Sequence, residues 1–251
     1  MYRAFLTQFT IGVFVLLLVA AVAGKRIVCY KGLLGIFFLV YFGDNVLIVV
    51  TNRFSNLQVI PNHVWEGFLV CSWSGKLYSI LFTLGLFAFF RKRLSRNDIG
   101  LTMRQRSGSV LPAVIVVLAL AGWALMIGMR SPKGKADLET LIYLAIMPGL
   151  NEELVYRGIL LGILDKILPT RFRLLAAPFG WGAIITSLLF GLLHSFWFDG
   201  QLALHFELIA FENSTISGLI FAWLRARTGS LVMPILAHGA EDFLFFLPRM
   251  V

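Results

Sequence analysis

The stretch VLPAVIVVLALAGWALMIGM, residues 110–129, decides the fold class. It is twenty residues without a charge, and at ~1.5 Å per helical residue it is long enough to cross a hydrocarbon core of ~30 Å. Residues 5–24, FLTQFTIGVFVLLLVAAVAG, repeat the pattern. Across all 251 residues 59% are hydrophobic and 14% charged, where a soluble domain carries about a quarter charged. A soluble core could not hide this much apolar surface, and the excess lies in long runs. The expected fold class is an all-α, polytopic transmembrane helix bundle.

Eight spans fit the runs: about 5–24, 33–50, 74–90, 110–129, 138–164, 179–198, 205–224 and 231–247. Lys76 falls inside the third, and Val64 to Trp73 reads as an interfacial stretch leading into it. Arg3, the apolar run and Ala21-Val22-Ala23-Gly24 imitate a secretory signal. The run is longer than a signal core and further spans follow, so it reads as a retained first helix. Residues 1–109 form N-terminal helices with a basic loop and 110–251 the core that carries the chemistry, within one membrane domain. Cys29 and Cys71 belong to no C-x-x-C pair and imply neither a zinc ribbon nor a disulfide framework.

The net charge of +9 raises a nucleic-acid partner, but no interleaved basic and aromatic surface supports one. The basic residues instead sit between apolar runs, as in Arg91-Lys92-Arg93 with Arg96, Arg104 and Arg106. With the first connection inside, fourteen basic residues lie in inner segments. Six lie outside: Arg3, Arg53, Arg130, Lys133, Lys135 and Arg249. Positive-inside bias then places both termini outside. The expected location is a bacterial or archaeal cell membrane, crossed many times, with the bilayer and a membrane-associated protein or peptide as partners.

Ionisable groups inside spans cost at least ~2.5–3.5 kcal/mol each on insertion scales, so each asks for a partner or a function. The fifth span holds Asn151-Glu152-Glu153-Leu154-Val155-Tyr156-Arg157. Glu153 and Arg157 are spaced to pair on one helical face, leaving Glu152 pointing about 100° away without an obvious partner. Pro148-Gly149 just upstream predicts a kink. His194 lies in the sixth span, and His238 with Asp242 in the eighth. Counted from the inner ends at ~1.5 Å per residue, Glu152 lies ~20 Å deep, His194 ~21 Å, His238 ~12 Å and Asp242 ~18 Å. Three helices thus bring titratable groups to one slab. A buried carboxylate can serve as general base for water, an imidazole can relay the proton, and a second donor can hold an oxyanion. Neither G-x-S-x-G nor H-E-x-x-H occurs. A structural ion pair, a hydrogen-bonded core histidine and an ion-coupled transporter fit the same residues.

At these positions the sequence resembles the CPBP family, the CAAX prenyl endopeptidases and bacteriocin-processing membrane proteases related to Rce-type enzymes. Its E-E-x-x-x-R is Glu152-Glu153 to Arg157, with Tyr156 where Phe is usual, and its F-x-x-x-H is Phe190 to His194. Its last motif matches Gly218 through Arg225, Thr228-Gly229-Ser230-Leu231, Pro234-Ile235 and His238. The resemblance covers roughly 140–247, with an echo at Ile99-Gly100-Leu101. It implies a metal-independent, cofactor-free endopeptidase. Glu152 and His194 would activate water, His238 and the residue four beyond would stabilise the oxyanion, and Glu153 with Arg157 would brace the site. That last residue is Asp242 rather than the family's Asn, so it is protonated, orients His238, or marks a different activity. A zinc protease using Glu152, His194 and His238, and a non-proteolytic transporter or immunity or scaffold protein, are the alternatives. His205, Glu207 and Glu212 receive no role, and the family's diversity leaves a prenylated substrate unpresumed.

The charge distribution predicts that a reporter fused after Val251 is found outside and one inserted between Arg93 and Arg96 inside. Finding the latter outside would show that the span count before residue 91 is wrong.

Overall fold

In an apolar solvent every backbone amide must be satisfied within its own segment, so apolar runs fold as helices. The computed structural model describes residues 2–65, 69–130, 135–168 and 170–250. All eight runs are helical over most of their length. The helices are α1 (Tyr2–Ala23), α2 (Lys31–Arg53), α3 (Trp73–Phe89), α4 (Val110–Arg130) and α5 (Leu138–Glu152). The chain continues from α5 through a π-helical segment, Glu153–Leu160, into α6 (Leu161–Ile167). The last three are α7 (Trp181–Ser195), α8 (Leu208–Thr228) and α9 (Val232–Phe246). Among the described residues α1, α2 and α4 are long and apolar enough to cross a membrane by length and composition, and α3 and α7 are shorter apolar helices.

The structure refines four expectations. The stretch from Val64 to Trp73 carries paired strands: β1 (His63–Trp65) and β2 (Leu69–Cys71) run antiparallel, followed at once by α3. The sixth span ends at Ser195 rather than 198, because β3 (Phe196–Phe198) turns through Asp199-Gly200 and pairs with β4 (Leu204–Phe206). The seventh helix therefore starts at Leu208, with His205 in the hairpin and Glu207 at the N-cap. Finally, Pro148 sits inside α5, and the departure from α-geometry comes after it, as the π segment. Lys133, counted among the outer charges, lies outside the described residues.

Two tight helix pairs frame the centre, α5 with α9 and α7 with α8, while α2 and α3 pack together against the π segment. Apolar side chains of α1 (Ile11, Val15, Val19), α2 (Phe37, Val40) and the π segment (Ile159, Leu160) share one buried cluster. The polypeptide around Gly100 is tied to the Thr228–Leu231 motif. Leu231 N–H donates to the Gly100 carbonyl at 3.0 Å, and Ser230 Oγ donates to the Thr102 carbonyl at 2.5 Å. Arg225 Nη2 also donates to the carbonyls of Asn97 (3.1 Å) and Asp98 (3.0 Å). The Ile99-Gly100-Leu101 echo and the late motif are thus two sides of one contact.

Small residues let α5 and α9 approach backbone to backbone, as membrane helices do where no hydrophobic force between them exists. A Cβ on Gly149 would stand 2.8 Å from the Ile235 carbonyl oxygen, and one on Gly239 would strike the Ala145 carbonyl. That approach sets His238 against the two glutamates. Gly239→Val should therefore lower thermal stability by about 1–3 kcal/mol through overpacking. Gly85→Ala, with nothing within 4 Å of its added Cβ, should leave it unchanged or higher. Equal melting of the two variants in detergent would contradict the packing assigned to Gly239.

Candidate active site

The centre starts from Glu153. Its carboxylate and the Arg157 guanidinium are both fully buried, and Arg157 Nη1 donates to Glu153 Oε1 at 2.9 Å. The same oxygen lies 2.8 Å from His238 Nδ1, so one carboxylate braces a cation on its own helix and an imidazole on α9. Arg157 is further held between aromatic faces, its guanidinium carbon 4.4 Å from the Phe190 ring centre and 5.2 Å from that of Phe221. Phe221 in turn stacks on the His238 ring at 5.0 Å and 16°. The predicted i, i+4 pair forms, and it does more than neutralise itself: it fixes the ring of His238. Asp242, the sequence candidate for that task, lies 3.6 Å from His238 Nε2, beyond hydrogen-bond distance.

Glu152 is not partnerless, contrary to the sequence reading. Lys76, from α3, places Nζ 2.5 Å from Glu152 Oε1 and 3.5 Å from Asn151 Oδ1. Asn151 Nδ2 donates to Asp44 Oδ1 at 3.1 Å and to Ser79 Oγ at 2.9 Å, and Ser79 also hydrogen-bonds Asp44. Asp44, Lys76, Ser79 and Asn151 are all buried. Lys76 thus enters the third helix with its charge compensated, which removes the objection to that span. Asp44 and Lys76 went unrecognised as site residues. Their signal was the presence of opposite charges in adjacent apolar runs, each too costly to bury alone.

The second oxygen of Glu152 is different. Oε2 is buried, has no hydrogen-bond partner among the described residues, and lies 3.9 Å from His238 Nε2. His194 stands one residue from the end of α7, at the rim of the site rather than in mid-span. Its Nδ1 lies 2.8 Å from the Phe190 carbonyl oxygen, which can only accept. The proton therefore sits on Nδ1, which leaves a lone pair on Nε2 whenever the ring is neutral. His194, His238 and Asp242 line one cavity of about 140 Å³ with Asn213 and Ser217, two polar residues of α8. Ser217 Oγ donates to Glu241 Oε1 at 2.7 Å.

The structure thus brings Glu152, Glu153, Arg157, His194, His238 and Asp242 together. It keeps His205, Glu207 and Glu212 apart from them. His205 stacks on Trp197 at 5.3 Å, and its Nε2 lies 2.8 Å from Asp199 Oδ2, a bond that holds the Asp199 carboxyl below its ordinary range. Glu207 only precedes α8, and Glu212 is exposed. Among the described residues no group of three His, Cys, Asp or Glu side chains is arranged to hold a metal.

Fold and cluster together define a helical membrane protein with a carboxylate–imidazole centre built from six helices and a π segment, the local form often found at functional sites. Residues 135–244 match the Rce1-like family of type II CAAX prenyl endopeptidases. The chain is also similar to an uncharacterized 24.3 kDa protein of Escherichia coli, 33% identical over 123 residues, 48% of this chain and 49% of that protein. It spans about half the length of that curated relative. No solved structure matches.

Arg157→Ala would leave Glu153 as an uncompensated buried charge, for which a loss of about 3–5 kcal/mol is expected. Arg157→Lys should recover only part of it, because an ammonium cannot lie flat between Phe190 and Phe221. Thermal unfolding in detergent, with membrane yield alongside, measures both; wild-type stability of Arg157→Ala would refute the brace.

Proposed function

We propose that the chain is an intramembrane glutamate-type endopeptidase that hydrolyses a peptide bond in a membrane-associated protein or peptide, without metal or cofactor. The observation that carries this reading is Glu152 Oε2, a buried acceptor with no partner among the described residues, next to the cavity lined by His194 and His238. Such an oxygen has a desolvation cost that a bound water would relieve.

In this mechanism the water sits between Glu152 Oε2 and His194 Nε2. One of these takes its proton as the oxygen attacks the substrate carbonyl, and the proton then passes to the departing amine as the C–N bond breaks. His238, held by Glu153 through Nδ1, presents Nε2 to the cavity. When both its nitrogens are protonated, it donates to the oxyanion of the tetrahedral intermediate. Asp242 works in its neutral form as a second donor, because an ionised carboxylate there would repel the oxyanion. Glu153 and Arg157 keep the geometry and take no proton.

Glu152→Gln should abolish cleavage, a loss of at least a hundredfold, while the protein still inserts and elutes as a single species. Comparing the C-termini of membrane-associated peptides between cells carrying wild type and Glu152→Gln identifies the substrate, prenylated or not. The wild-type rate on that substrate should survive strong chelators. Full activity in Glu152→Gln refutes the mechanism. Activity lost on stripping zinc and restored by adding it back assigns the chemistry to a metalloprotease.

A further inference from the structure

We infer that Lys76 is a positioning residue of this site: its ammonium holds Glu152 as a carboxylate with Oε1 fixed, so that Oε2 is the oxygen left for the water. The inference rests on the reading of Glu152 as the group that activates water.

The geometry is one-sided. An ammonium is a point donor, without the fork with which a guanidinium engages both oxygens of a carboxylate. Lys76 Nζ, at 2.5 Å from Oε1, therefore occupies one oxygen and leaves the other. Of the other buried cations among the described residues, Arg157 is committed to Glu153 and Arg225 donates to the carbonyls of Asn97 and Asp98. Glu152 thus depends on Lys76 for a lysine or arginine partner among the described residues.

Lys76 is itself fixed from behind. Asn151, the residue before Glu152, presents its carbonyl to Lys76 and its amide NH2 to Asp44 and Ser79. Asp44 accepts from both Asn151 and Ser79 on the far side and so fixes the Asn151 amide that faces the ammonium. Three helices, α2, α3 and α5, therefore set the direction of a single carboxylate.

Dicyclohexylcarbodiimide, which partitions into bilayers, tests this without any substrate. It adds to a protonated carboxyl, whose proton passes to a carbodiimide nitrogen, and the O-acylisourea then rearranges by acyl transfer to a stable N-acylurea. A carboxylate held by an ammonium is spared. The full-length protein in phosphatidylcholine vesicles is treated with the reagent, and label on Glu152 is read by peptide mass spectrometry, with Glu152→Gln as the zero.

Wild type and Lys76→Arg should take little label, and Lys76→Met at least tenfold more than wild type. Lys76→Gln, which keeps a hydrogen-bond donor, serves if Lys76→Met does not elute as a single species. Asn151→Leu, which leaves Lys76 in place and cuts its link to Asp44, should fall between. Equal labelling of wild type and the neutral Lys76 variant overturns the assignment. The two readings fail separately. An active Glu152→Gln protein alongside the labelling difference removes the peptidase mechanism and keeps the pair. An inactive Glu152→Gln with no labelling difference removes Lys76 and keeps the mechanism.

Discussion

A charge taken out of water must meet its opposite, and every polar feature of this bundle follows from how that is done around Glu152 and Glu153. The two carboxylates are neighbours in sequence, diverge around the helix, and are satisfied by different means. Glu153 is compensated within its own helix by Arg157 and reaches across to His238 through the same oxygen, so its Oε1 is fully committed. Glu152 is compensated from another helix by Lys76 and keeps one oxygen uncommitted. The first arrangement makes the centre rigid. The second leaves it capable of chemistry.

The close approach of α5 and α9 serves that division. Glycines at 149 and 239 let the backbones near each other, which sets His238 between Glu153 and Glu152 with its two nitrogens facing different carboxylates. Arg157 is wedged between Phe190 and Phe221, one on the helix that carries His194 and the other stacked on His238. A single guanidinium therefore links the positions of both imidazoles. The Rce1-like segment, residues 135–244, contains all of these groups, whereas Lys76, Ser79 and Asp44 come from outside it.

Much of the framework was legible in the sequence because it rests on period and length. The apolar runs located the long helices, and the four-residue spacing of Glu153 and Arg157 gave their pair. What escaped was set by contacts between distant positions. Lys76 lies 76 residues before Glu152, and no local pattern links them; taken alone it looked like a flaw in a span. The sixth span was drawn too long because Phe196, Trp197 and Phe198 are apolar and extend the hydropathy signal. Asp199-Gly200 was the available sign of a turn. The π segment has no signature of its own in residue spacing, although Pro148-Gly149 pointed to a loosened helix in its neighbourhood.

The Asp44–Asn151–Lys76 contact also has a consequence for how the protein is made. Chains emerge N-terminus first, so α2 and α3 reach the bilayer before α5 exists. Asp44 and Lys76 sit on consecutive helices that pack together, and the Asn151 amide and Glu152 carboxylate that meet them arrive only with α5. Assembly of the centre therefore waits on α5. A fragment beginning at α4 would carry the whole matched segment and still lack the lysine for which Glu152 is built.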